Sequence, residues 1–315
     1  MALYNLGLIE LKHRRYQQAV EYFQKAGGRQ PQDLPTLQGL LLAQVGMWPE
    51  RADLHSQLGD VYEKQGRYKE AVEAYQTAVR RDPDNDAYWF SLGHEFLQHH
   101  NFELAERIFS DGLKRLPRAL RLHLGLAVAY FSRAQYAEAV ATLRKAIALE
   151  PRAESAYFFL GQAFVLAGDH PLFSEGDWFE QSLQAYLQLK PRDPFPYYLN
   201  ALNLSRAPGP RNKSASLLEQ ALRLDPRFAE AWYELGKCHS GEQRFQDAIR
   251  CYRKAIDLRP GYSEAWYRLS QAYAKAGQTA QARQAAEWSA KYRKEQEAEA
   301  ARRQKEILRF VYTLK

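Results

Sequence analysis

Apolar and polar residues are interleaved along almost the whole chain with the period of a helix. In "YKEAVEAYQTAVRRDP" (68–83) and "FQDAIRCYRKAIDLRP" (245–260) apolar residues recur at intervals of three and four, which places them on one helical face. Each run closes at a proline, and a second helical run follows. Proline cannot continue a helix and restricts the residue before it, so it sets where one helix stops and the next starts. Pro49, Pro83, Pro117 and Pro151 are evenly spaced (83 − 49 = 34), and Pro226 and Pro260 repeat the interval. The word "AWYELG" at 231–236 returns at the same interval (265 − 231 = 34) as "AWYRLS" at 265–270. A catalytic motif normally occurs once per domain, whereas a unit that stacks on copies of itself must recur. The pattern predicts an all-α chain of helical hairpins.

Counted from Ala52, one unit carries Leu58, Gly59, Tyr62, Ala71, Tyr75, Ala78 and Pro83. Counted from Ala229, another carries Trp232, Leu235, Gly236, Ala248, Tyr252, Ala255 and Pro260. Units from Asp86 and Leu120 follow the same scheme. These residues, in these positions, resemble the tetratricopeptide repeat. The small ones have a physical role, since Gly59 and Ala71 let two helix backbones approach where larger side chains would hold them apart. The resemblance implies a right-handed α-solenoid over 1–289, with units near 1–33, 52–85, 86–119, 120–153, 154–193, 195–228, 229–262 and 263–289, and an extra helix over 34–48. A capping helix and apolar tail would occupy 290–315, because a terminal repeat needs a polar outer face. Two units depart from the pattern. The one from Glu154 holds 40 − 34 = 6 extra residues around "AGDHPLFSEGDW"; the one from Phe195 puts Leu202 where a small residue belongs and loops through "RAPGPRNK".

A chain of 315 residues that is 46% hydrophobic and 26% charged can bury a substantial core. It has no apolar run of about 18 residues, and "MALYNLGLIELKHRRY" is not a signal peptide, so the reading is no membrane insertion and, as written, a cytoplasmic location. Met1 falls inside a helical pattern with no capping residue before it; missing upstream sequence, and with it a periplasmic or secreted location, stays open. Two cysteines exclude a disulfide framework, and Cys238 and Cys251 read as small buried thiols on facing helices, with a bridge as the alternative. The 44 basic and 37 acidic residues are interleaved without a basic stripe, which disfavours nucleic acid despite a formal charge of +7. No P-loop, paired-glycine loop, HExxH or GxSxG occurs, and the carboxylates read as spread along helix surfaces; neither catalysis nor a cofactor is expected. His94, His99 and His100 adjoin one turn without a cysteine or carboxylate at ligand spacing, so no metal site is expected.

The resemblance implies recognition of peptides, helices or loops of other proteins by positions 2, 5, 6, 9, 12 and 13 of each unit. Position 5 reads Ser56, Phe90, Leu124, Phe158, Leu199, Tyr233 and Tyr267. Positions 9 and 12 of the central units add His94, Leu97, Val128, Phe131, Gln162 and Val165, and position 9 of the unit from Ala229 adds Lys237. Asn200 and Asn203 stand at positions 6 and 9 of the unit from Phe195, where an amide could pair with the backbone of an extended ligand. An exposed apolar stripe of this extent marks an interaction site; the same residues wedged between neighbouring helices would be core. The expected function is a protein–protein interaction scaffold. The alternatives are the repeat portion of a larger enzyme or regulator, and a nucleic-acid-binding helical repeat. Recognition of an acidic chaperone tail is disfavoured, because the Lys and Asn of that clamp are missing. The ending "ILRFVYTLK" puts Ile307, Val311 and Leu314 on one face, which either folds back on its own cap or docks on a second copy to form a homodimer.

Overall fold

The computed structural model describes residues 2–28, 33–167, 170–174, 176–206 and 211–313, except for the side chains of 211, 212, 300, 301 and 303–313. Among the described residues there are 17 α-helices, one short 3-10 turn and no strand. The chain divides into two compact units, the first Met1–Pro151 with Ile307–Lys315 and the second Arg152–Glu306.

The first unit opens with α1 (Ala2–Lys12) and α2 (Tyr16–Gly27), followed by the single helix α3 (Leu34–Met47). Three hairpins complete it: α4 (Ala52–Lys64) with α5 (Tyr68–Arg81), α6 (Asp86–Gln98) with α7 (Phe102–Arg115), and α8 (Leu120–Ser132) with α9 (Tyr136–Leu149). The second unit holds α10 (Glu154–Ala167) and α11 (Trp178–Leu189), α12 (Pro194–Arg206) and α13 (Arg211–Leu224), α14 (Ala229–Gly241) and α15 (Phe245–Leu258), then α16 (Ser263–Lys275) and α17 (Thr279–Thr313) as far as Glu306. α17 contains no proline or glycine, so the second helix of the last hairpin and the expected capping helix are one element. The side chains of Ile307, Val311 and Leu314 lie outside the described residues.

Three devices recur. An aromatic ring from the second helix fills the notch left by a glycine on the first: a methyl built on Gly59 would lie 2.5 Å from the Tyr75 ring, and one on Gly236 2.6 Å from that of Tyr252. A ring near the start of many first helices reaches back to the carbonyl of the proline six residues earlier, an acceptor left over at a helix end. Nε1 of Trp89, Trp232 and Trp266 donates to Pro83, Pro226 and Pro260 at 2.9 Å. The Tyr197 hydroxyl donates to Pro191 at 3.1 Å, and Nε2 of His55 and His123 sits 2.9 and 3.0 Å from the carbonyls of Pro49 and Pro117. Third, most hairpins turn on a left-handed residue: Arg14, Gly66, His100, Ala134, Gln243 and Gly277 have φ from 57° to 76°. A non-glycine residue there carries strain of about 1–2 kcal/mol. Ala134→Gly should therefore stabilise the chain by about 0.5–1 kcal/mol after glycine's larger unfolded-state entropy is subtracted, measurable by urea unfolding; a loss of stability would refute the reading.

The departure at α12 differs from the expectation. In a regular hairpin the first helix starts a fixed step before its partner, as Asp86 does before Phe102 (102 − 86 = 16), but α12 begins at Pro194 and α13 at Arg211, one step further (211 − 194 = 17). The connection 207–210 has four residues where 99–101 has three. The unit therefore starts at Pro194, not Phe195. Its small eighth residue is Ala201, fully buried, and Leu202 is the ninth. Ser214, buried and donating to the Ala201 carbonyl at 2.8 Å, lies opposite it on α13.

Candidate peptide-binding surface

One residue of shift decides the fate of the asparagine pair. Asn200 now holds the seventh position, which is leucine in Leu58, Leu92, Leu126, Leu160, Leu235 and Leu269, all buried. It is itself buried, donates to the Pro196 carbonyl at 2.9 Å and accepts from Gln184 at 3.2 Å. Its amide is committed inside the molecule and is not free for a ligand. Leu199 is likewise core, filling the notch of Gly161. Asn203 remains half-buried.

The other expected residues divide by unit. In the first, Phe90 is half-buried, its ring centroid 5.6 Å from exposed His94 and 6.1 Å from Phe109. Leu124, Val128 and Phe131 on α8 are half-buried, and Phe131 lies 5.2 Å from Tyr136. In the second, Phe158 is 42% exposed and Tyr267 49%. Gln162 is half-buried, as is Tyr233, which packs against Tyr252 and Tyr262 at 6.0 and 5.0 Å. Exposed Lys237 pairs with Glu234 at 2.7 Å and stands 5.6 Å from the Tyr233 ring. The fifth position is thus neither a uniform stripe nor uniform core.

Two hollows open on the second unit. One, of about 600 Å³, is lined by α14, α15 and α16, including Tyr252, Arg268 and Gln271, with Ser205 of α12. The other, of about 910 Å³, takes its lining from α10, α12, α14, the inserted segment and the turn before α16. Ser205, Glu234 and Lys237 belong to both, so the two adjoin. The inserted segment is anchored by Phe173, 5% exposed, which packs on Phe164 and Phe179 at 5.1 and 4.9 Å. Of the expected groove residues, Val165 and Lys237 line these hollows; Tyr198, Arg206, Arg259 and Tyr262 were missed. Tyr198 was hidden by the shift, and Arg259 and Tyr262 stand in the connection between hairpins, outside the positions considered.

Carboxylates also gather where the sequence spread them out. Glu95 is 1% exposed on α6. His99, one turn on, brings Nε2 to 3.3 Å from its Oε1, so a carboxylate does stand at contact spacing from the histidines. The Tyr75 hydroxyl shares its one proton between Asp60, at 2.8 Å, and Glu63, at 3.1 Å, and Gln98 donates to Glu63 at 3.0 Å. Burial, then the charge of Glu63, raises Glu95 to about 7. Among the described residues no group of three His, Cys, Asp or Glu side chains is placed to hold a metal ion. Cys238 and Cys251 are both buried free thiols, and burial pushes Cys251 up to about 12.

Family models described as TPR repeat or tetratricopeptide repeat match residues 59–99 and 123–168, 229–262, 251–284, and 1–33 with 211–241. The chain belongs to the tetratricopeptide repeat family. Membership supports a protein–protein interaction scaffold as the general role. Among solved structures, a chain of the APC/C hetero-tetramer Cut9-Hcn1 is 17% identical with a TM-score of 0.55 over 90% of this tetratricopeptide repeat chain and 51% of that one. The chain thus spans about half the length of that relative, and the likeness shows a shared fold. YrrB, described as a TPR protein with an unusual peptide-binding site, is 15% identical over 70% of this chain and 93% of its own, with a TM-score of 0.40. The TPR domain of Arabidopsis OM64 is 24% identical over 36% and 94%, with a TM-score of 0.34. No helix among the described residues is long and apolar enough to cross a membrane.

Proposed function

We propose that this tetratricopeptide repeat chain is a protein-binding scaffold whose second unit takes an extended peptide or a helix of a partner protein. The observation that carries the reading is the pair of adjoining hollows, of about 600 and 910 Å³, joined through Ser205, Glu234 and Lys237. Exposed Tyr267 on α16 and Phe158 on α10 add apolar surface on helices that line the hollows. The basic side chains do not favour a phosphate track, since Arg81, Arg115, Arg121, Arg133, Lys190 and Arg259 are each paired with a carboxylate.

Selection from a random peptide display library tests the reading. Selected peptides should bind the purified chain with micromolar or lower Kd and a shallow salt dependence. Phe158→Ser combined with Tyr267→Ser should weaken them at least about 10-fold, a typical cost for losing interface aromatics, with the melting temperature nearly unchanged. Binding indifferent to the double variant, or a double variant that unfolds, would remove the assignment.

A further inference from the structure

The smaller hollow carries an unbalanced charge. Its charged lining is Glu234 and Lys237 of α14 with Arg268 and Lys275 of α16, an excess of 3 − 1 = 2 positive charges. Lys237 and Glu234 answer each other at 2.7 Å. Arg268 donates to Gln271 at 3.2 Å, and among the described residues no carboxylate forms an ion pair with Arg268 or Lys275. That sets them apart from Arg115 and Arg259, each met by a carboxylate, at 2.6 and 2.7 Å.

Arg268, Gln271 and Lys275 follow one another at intervals of three and four and are all exposed, so they form one stripe along α16. The two cations are two turns apart, about 10 Å along the axis, and their long side chains can meet on one group between them. α14 and α15 add a hydroxyl pair. Ser240 Oγ lies 3.2 Å from the Tyr252 hydroxyl, and both residues line the hollow. Burial pushes the Tyr252 phenol up to about 12, so it keeps its proton at neutral pH. When that proton is given to Ser240, the serine's own is left for a ligand. Arg268 stands close enough for its charge to act on the same phenol, so cation and hydroxyls address one space.

Two unmatched cations select the charge of the ligand. A carboxylate fills the guanidinium fork with its two oxygens and leaves Lys275 unmatched. A phosphate monoester carries nearly two negative charges at neutral pH and three acceptor oxygens. It can occupy the fork of Arg268, meet Lys275 and still accept from Ser240. We propose that the smaller hollow is a subsite for a phosphorylated side chain of the partner peptide, held by Arg268 and Lys275 with Ser240 as a third donor. The proposal rests on the peptide-binding reading above, and the adjoining larger hollow gives the residues flanking the phosphate a place to lie.

Peptides taken from the display selection are resynthesised with serine, glutamate or phosphoserine at each position in turn. Each is titrated against the wild-type chain and against Arg268→Gln/Lys275→Gln. At one position phosphoserine should bind about 10-fold or more tightly than serine, and glutamate no more than about 3-fold, as for two partly solvated charge pairs against one. Within the double variant the ratio between the serine and phosphoserine forms should fall to about 2 or less. Both substituted positions are exposed, and a circular dichroism melt checks the fold. Should the variant melt early, Lys275→Gln alone should still lower the ratio at least about 3-fold. Peptides that bind but gain nothing from phosphate at any position, gain equally from glutamate, or keep the full gain against the variants overturn the subsite and leave the scaffold standing. If no peptide is selected, both fall.

Discussion

Phe109→Ala is expected to cost about 3–5 kcal/mol in urea unfolding, the range for removing a fully buried phenylalanine. Phe109 has no exposed surface. Its ring serves two notches at once. A methyl built on Gly93 of α6 would lie 2.5 Å from its Cε1 and Cζ, and one on Gly125 of α8 2.5 Å from Cζ. The ring therefore fills the gap within its own hairpin and the gap to the next, and its loss opens a cavity at a junction where stability is a sum of nearest-neighbour terms. Phe23 repeats the arrangement between Gly7 and Gly39. Gly93→Ala alone should cost about 1–3 kcal/mol by overpacking. Combined with Phe109→Leu it should cost less than the sum of the two single changes, because the smaller side chain vacates the space the methyl needs. Additive losses would show that ring and glycine do not share the notch.

Glu95→Gln should raise stability at pH 8 and change it little at pH 5. The carboxyl is buried on α6 and faces His99 on its own helix and Glu63 on α4, which accepts from Gln98 and from Tyr75 on α5. Burial and Glu63 raise it from an ordinary 4.5 to about 7, so between those values the folded chain holds a proton that the unfolded chain releases. Its contribution is full below about 4.5 and is lost as pH rises through about 7. A gap of that size corresponds to at most about 3 kcal/mol, and attraction between the carboxylate and a charged His99 reduces it; roughly 1–3 kcal/mol is expected. Burial lowers His99, which limits that offset above neutrality. Thermal melts of both proteins from pH 5 to 8 decide the matter. If the glutamine variant is the weaker one at pH 8, the glutamate is held charged by its histidine.

The regular beat of the prolines made the hairpins legible because proline, glycine and aromatic positions each answer a strong steric demand. The helix of 34–48 was readable from its apolar period and appears as Leu34–Met47. What the period hid was a change of phase. Pro191 and Pro226 stand one step too far apart (226 − 191 = 35), and that single count would have moved Asn200 from the ligand side to the core and Tyr198 to the fifth position. One residue turns a helix by about 100°, enough to carry a side chain from the ligand side into the core. The larger hollow was illegible for another reason: its lining takes Arg259 and Tyr262 from a connection and His170 and Ser174 from an inserted segment, outside the positions of each unit that were considered. Glu95 was illegible because charge in a helix ordinarily means solvent, and only a neighbouring helix makes the difference.

The proline carbonyls that accept from Trp89, Trp232 and Trp266 bear on how the chain carries load. Each of these bonds spans the covalent joint between one hairpin and the next, so pulling on the joint must break it before the short linker can straighten. The bond contributes only about 1 kcal/mol, yet it acts in parallel with the backbone at the place where tension passes between neighbours. Such a joint resists small strains stiffly and yields abruptly, a latch in series with its neighbours.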